Sequence, residues 1–128
     1  MVRSYLRALA LVATLLTLPQ LAFSTGDGVA REKMVQALEA SADGQCAEDI
    51  MSPMLLDACE QQIAQNKKLL GPLGNIIEAS YRGMQDMGNG QKAEAYLVKF
   101  QGGTMMWLAS LDSEGRLLVL WSNGQVRP

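Results

Sequence analysis

Two hydrophobic periods divide the chain. From residue 28 to about 70 apolar positions recur at helical spacing, and from about 74 to 121 they run in strand-length blocks. The first helix is predicted over 28–42. Ala30, Met34, Ala37, Leu38 and Ser41 share one face, and Arg31, Glu32, Lys33, Gln36 and Glu39 share the other. Asp27 can cap its start. Asp43-Gly44 ends it, because glycine accepts the left-handed conformation that stops a helix. A short helical turn is expected at 45–51. Ser52-Pro53 then restarts the chain as helix: the serine oxygen can accept a free first-turn amide, and proline has the φ of the first helical position. The second helix is predicted to reach Leu70, with Leu55, Cys59, Gln62, Ile63, Asn66 and Leu70 on or near its inward stripe and Gly71-Pro72 as its stop.

Four strands follow. "NIIEASYRGM" (75–84) is the first, with its turn at Gly88-Asn89-Gly90, and "AEAYLVKF" (93–100) the second. Gly102-Gly103 suits a two-residue hairpin into "TMMWLASL" (104–111), and a loop over Asp112–Arg116 leads into "RLLVLW" (116–121). With those turns Phe100 opposes Met105, Val98 opposes Trp107, Leu111 opposes Leu117, and Trp107 opposes Trp121. One face then carries Tyr96, Val98, Phe100, Met105, Trp107, Leu111, Val119 and Trp121. The other carries Leu97, Met106, Leu108, Leu118 and Leu120. Antiparallel sheets in small domains usually leave one face polar, whereas both are apolar here. The expected architecture is α+β: N-terminal helices packed on a curved four-stranded antiparallel sheet, in the order helix-helix-β-β-β-β. Helices can cover one face, and the other must meet something else. Tyr96, Phe100, Met105, Trp107 and Trp121 form an aromatic-rich stripe, read as core cement or as a face for a ligand or partner.

The first 24 residues stand outside that pattern. Arg3 and Arg7 precede an unbroken apolar run at 8–18, Pro19 breaks it, and "AFS" (22–24) offers small residues for cleavage. This is the arrangement of a secretory signal peptide, and the run is about half the ~20 residues a membrane span requires. Its removal leaves residues 25–128 as a single domain in a periplasmic or secreted setting, and takes the net charge from −2 to −4. A mildly acidic chain without a basic patch has no electrostatic footprint for nucleic acid or for a membrane surface. In an oxidising compartment the only two cysteines, Cys46 and Cys59, read as a disulfide closing a twelve-residue gap.

Chemistry is sparsely signalled. The absence of histidine removes the commonest general base and the Ser-His and Cys-His arrangements, and the acidic residues show no calcium-loop spacing. No metal or cofactor is expected. "GDG" at 26–28 lacks phosphate-loop spacing, and Glu48-Asp49, being adjacent, point apart on a helical turn. An isomerase- or hydrolase-like alternative rests on Glu78 or Asp86 with Tyr81 or Tyr96 as proton donor. Asp112 and Glu114 read as turn residues, with Gly115 supplying positive φ.

"QNKKLLGPLGNI" (65–76), "YRGMQ" (81–85) and "AYLVKFQGGTMMWLASLDSEGRLLVLW" (95–121) together resemble small secreted bacterial domains of the nuclear transport factor 2-like (cystatin-like) superfamily. The matching elements are a helix ending at Leu-Gly, the strand Tyr96-x-Val98-x-Phe100 beside a Trp-bearing strand, and the turn Asp112-x-x-Gly115-Arg116. The resemblance spans residues 53–121 and implies the fold. Domains of that superfamily bind small ligands, dimerise through the sheet or act as isomerases. The isomerase acid and base residues have no match here, so no active site is implied. The expected function is a non-catalytic binding or accessory module acting through an apolar sheet face or shallow cleft on a protein partner, a second copy or a small apolar ligand. A periplasmic inhibitor or immunity protein is the other alternative.

Overall fold

The computed structural model describes residues 28–125, so the signal-type start and Asp27 lie outside the described residues. Two helices, α1 (Arg31–Ala42) and α2 (Pro53–Leu70), pack against an open antiparallel sheet. Its strands are β1 (Ile76–Gly88), β2 (Gln91–Phe100), β3 (Gly103–Leu111) and β4 (Leu117–Gln125), in the order β1-β2-β3-β4. The five residues expected on the inner face of α1 are all buried: Ala30, Met34, Ala37, Leu38 and Ser41. Gly44 leaves the helix with φ 82°, as the sequence requires.

Ser52 caps α2 by accepting the Leu55 amide at 3.2 Å, with Pro53 at the first helical position. Gly71 is not its stop. That residue stays helical at φ −52°, a 3-10 turn continues over Gly71–Leu73, and the chain turns away at Gly74 with φ 78°. Cys46 and Cys59 form the expected disulfide, Cα–Cα 6.0 Å. The bond fastens the segment holding the 3-10 turn Glu48–Ile50 to α2. Met51 beyond it makes a parallel bridge to Leu117, and the Ser52 amide donates to the Leu117 carbonyl at 2.8 Å.

Turns set the register. Asn89 (φ 54°) and Gly90 (φ 75°) close the β1–β2 hairpin with two positive-φ residues. The β2–β3 turn is Gln101-Gly102 rather than Gly102-Gly103, so Phe100 opposes Gly103, Val98 opposes Met105 and Tyr96 opposes Trp107. This is a slip of two residues, which keeps every side chain on its expected face. The last hairpin behaves otherwise. Leu111 does oppose Leu117, but a bulge at Leu118 then pairs Ser110 with Val119, Ala109 with Leu120, Leu108 with Trp121 and Trp107 with Ser122. One extra residue inverts the strand beyond it. Leu120 therefore turns to the helices, while Val119 and Trp121 turn away, opposite to expectation.

The core lies between the helices and the inner sheet face, built from Met34, Leu38, Tyr96, Val98, Met105 and Leu117 among others. A smaller cluster of Ala93, Ala95 and Leu108, flanked by Met106 and Val119, forms on the outer face.

Candidate functional site

The aromatic stripe divides. Tyr96, Phe100, Met105 and Trp107 sit on the face the helices cover and are buried in the core. Trp121 is 52 % exposed and stands on the far side of the sheet. The expected Trp107–Trp121 cross-strand pair does not form, because the bulge at Leu118 separates the two rings by a face.

A buried carboxylate lies beside this core. Glu94 on β2 is 2 % exposed and shares the parity of Tyr96, Val98 and Phe100. Its Oε2 accepts the Val29 amide at 2.9 Å, and its Oε1 accepts the Ala30 amide at 2.8 Å and the Tyr96 hydroxyl at 2.5 Å. These amides immediately precede α1, whose N-cap Ala30 offers no side-chain cap, so Glu94 supplies the capping oxygens from the sheet. Burial, and then the hydrogen bond and charge of Glu94, push the Tyr96 phenol well above its ordinary range. Arg31 lies 5.6 Å from the Tyr96 ring centroid, and its Nε donates to the Ala79 carbonyl at 3.0 Å. Tyr81 meets Tyr96 edge-on with centroids 5.8 Å apart. The signal for Glu94 was its parity: two residues back along the inward stripe from Tyr96 lies a carboxylate.

The other acids stay in solvent. Exposed Glu78 accepts from the Ser80 hydroxyl at 3.2 Å, and exposed Asp86 accepts the Gly88 amide at 2.9 Å. Neither is brought beside Tyr96. Glu48 and Asp49 are exposed on their 3-10 turn. Asp112 accepts the amides of Glu114 at 2.8 Å and Arg116 at 2.9 Å, and Gly115 has φ 81°. The Arg116 amide, and then that of Glu114, hold the Asp112 carboxyl below the usual carboxylate range. Glu114 itself pairs with Arg116. This turn fixes the backbone and encloses no apolar space. Among the described residues no group of three or more His, Cys, Asp or Glu is arranged to hold a metal ion.

The space suited to a ligand lies elsewhere. Only Cys59 and Leu70 of α2 are fully buried along its 18 residues, so the helix stands partly off the sheet. Between it and β3–β4 is a cleft of about 450 Å³, in the size range of small-molecule sites. Leu55, Ala58 and Leu69 line its helix side with the amides of Gln62 and Asn66; Met105, Trp107, Leu120 and Trp121 line the sheet side. Among the described residues no Asp, Glu, Lys or Arg borders it. Trp107 Nε1 is closed from solvent and has no acceptor among the described residues. A shallower hollow on the outer face is bordered by Asp86, Met87, Leu108, Val119 and Trp121, the last a residue of both linings.

Glu94 and Tyr96 border neither of these two spaces, and the buried acid holds the start of α1. Among the described residues no helix is long and apolar enough to cross a membrane. In comparison with known proteins, no family model, curated protein sequence or solved structure matches this chain.

Proposed function

We propose that this chain is a non-catalytic binding domain, exported to the periplasm or beyond, that holds a small apolar molecule between α2 and β3–β4. The observation that carries the reading is the uncharged cleft of about 450 Å³ left where α2 stands off the sheet. A disulfide fits an oxidising compartment, in keeping with export. Kinship with the nuclear transport factor 2-like superfamily belongs to the same proposal, supported by the helix-first order and the antiparallel sheet.

The test uses N-phenyl-1-naphthylamine, a neutral dye that brightens in apolar surroundings. Saturable binding with one site per chain is expected. Ala58→Phe, at an exposed α2 position lining the cleft, should abolish it by filling the space. Dye binding that is unsaturable, or unchanged in Ala58→Phe, refutes the reading. A second reading, contact with a protein partner or second copy through the outer hollow, is favoured by the 52 % exposure of Trp121 beside Met87. Concentration-dependent sedimentation abolished by Trp121→Ser would select it.

A further inference from the structure

We propose that Trp107 Nε1 is a hydrogen-bond donor reserved for the ligand, and that the ligand is an uncharged apolar molecule carrying a carbonyl-type acceptor. The inference rests on the cleft reading above and adds the chemistry of the occupant. Buried indole N–H groups ordinarily find an acceptor, because an unmade hydrogen bond in a dry interior forfeits the hydration the group had in water. Trp107 is 8 % exposed, and its Nε1 is closed from solvent and has no acceptor among the described residues. The fold does not supply the missing group: Trp107 opposes Ser122 across β3–β4, but the Ser122 hydroxyl donates to the Met106 carbonyl at 2.6 Å and accepts the Gly124 amide at 3.1 Å. The polar side chain directly opposite Trp107 on the partner strand is thus committed to backbone.

The lining excludes other chemical classes. With no charged residue on the cleft wall among the described residues, a carboxylate, phosphate or ammonium would lose its hydration without gaining a counter-charge. A pure hydrocarbon would fill the apolar wall and leave the indole unpaired. A ketone, ester or amide on an apolar body satisfies both, with the Gln62 and Asn66 amides available on the helix side. Since Nε1 is closed from solvent, the acceptor reaches it through a displacement of lining side chains. Leu69, at 45 % exposed, is the large apolar side chain of the helix wall least restrained by packing.

The experiment compares 2-acetylnaphthalene with 2-ethylnaphthalene, alike in shape and differing in the carbonyl, as competitors of the naphthylamine dye on the disulfide-bonded protein. The ketone is expected to bind about tenfold tighter, equivalent to 1.4 kcal/mol. In the wild-type protein the Trp107 indole Hε1 resonance, assigned through Trp121→Phe, should move downfield with the ketone and not with the hydrocarbon. Trp107→Phe should erase the preference for the ketone over the hydrocarbon; should that variant fail to fold or to bind either probe, the resonance shift decides alone. Equal affinities with an unmoved Hε1 overturn this inference and leave the cleft reading standing. Failure of both probes to displace the dye overturns the inference as well. Failure of the dye itself to bind saturably overturns the cleft reading and this inference with it.

Discussion

Glu94 is the side chain on which the structure makes its firmest energetic demand. Glu94→Ala removes the acceptor from three donors: the Val29 amide, the Ala30 amide and the Tyr96 hydroxyl. The last two bonds are buried, and each stranded donor costs about 1–3 kcal/mol. Val29 is partly solvated and adds less. The start of α1 also loses the negative charge that its amides face. The expected loss is about 3–5 kcal/mol, comparable to breaking other buried charged networks and a large share of the 5–15 kcal/mol typical of a domain. Glu94→Gln keeps the shape and one oxygen but turns an NH2 group toward a donor, so it should cost about 1.5–3 kcal/mol. Urea unfolding of the oxidised protein, followed by circular dichroism, measures both. A double-mutant cycle with Tyr96→Phe should return a coupling energy of about 0.5–3 kcal/mol, since the two side chains share one bond. A Glu94→Ala protein within about 0.5 kcal/mol of wild type, the range of ordinary surface substitutions, would refute the reasoning.

Three other outcomes are expected. The raised Tyr96 pKa stabilises the fold fully below the unfolded phenol pKa of about 10, and this contribution is lost as pH rises from there toward the folded value. Unfolding free energies at pH 8 and pH 11 should therefore fall more steeply for wild type than for Tyr96→Phe, and parallel losses would contradict the assignment. Reduction of Cys46–Cys59, read as a two-hydrogen mass gain, should cost about 3 kcal/mol by loop-closure entropy, and unchanged unfolding after reduction would argue that the segment before Met51 holds itself in place. Acrylamide should quench Trp121 strongly and Trp107 weakly, as read from the two single-tryptophan variants; equal quenching would contradict the bulge at Leu118.

Where one residue type dominates one face, the sequence is legible. α1 alternates charged and apolar positions so clearly that its four buried residues, and the buried Ala30 at its cap, follow from spacing alone. Ser52-Pro53 and Asp43-Gly44 are equally readable, because each does something at a helix end that few other pairs do. The run "RLLVLW" carries no such information. Leucines, valine and tryptophan suit either face, so the sequence imposes no penalty on the extra residue at Leu118, and register there is decided by the Asp112 turn and the Met51 bridge. Glu94 escaped for a related reason. In "AEAYLVKF" a glutamate between alanines reads as an outward polar position. Its inward placement becomes intelligible only when α1 brings two unpaired amides over the same end of the sheet.

The cleft follows from what α2 lacks. Cys59 and Leu70 are its two buried residues, eleven positions apart, a rise of about 16 Å along the axis, with Leu55, Leu56 and Ile63 only partly buried against the core. Gln62 and Asn66 lie between them at helical offsets from Cys59, on the stripe that faces the sheet, and both border the cleft. An amide at those positions is not drawn onto an apolar surface, because burial without a partner costs more than the contact returns. Leucine at either position would add apolar area at about 25 cal/mol per Å² and bring the helix down onto Trp107 and Leu120. Stability alone therefore does not account for amides on this stripe. A cleft between the disulfide and Leu70, with an unpaired indole in its wall, is what this placement of polar side chains produces.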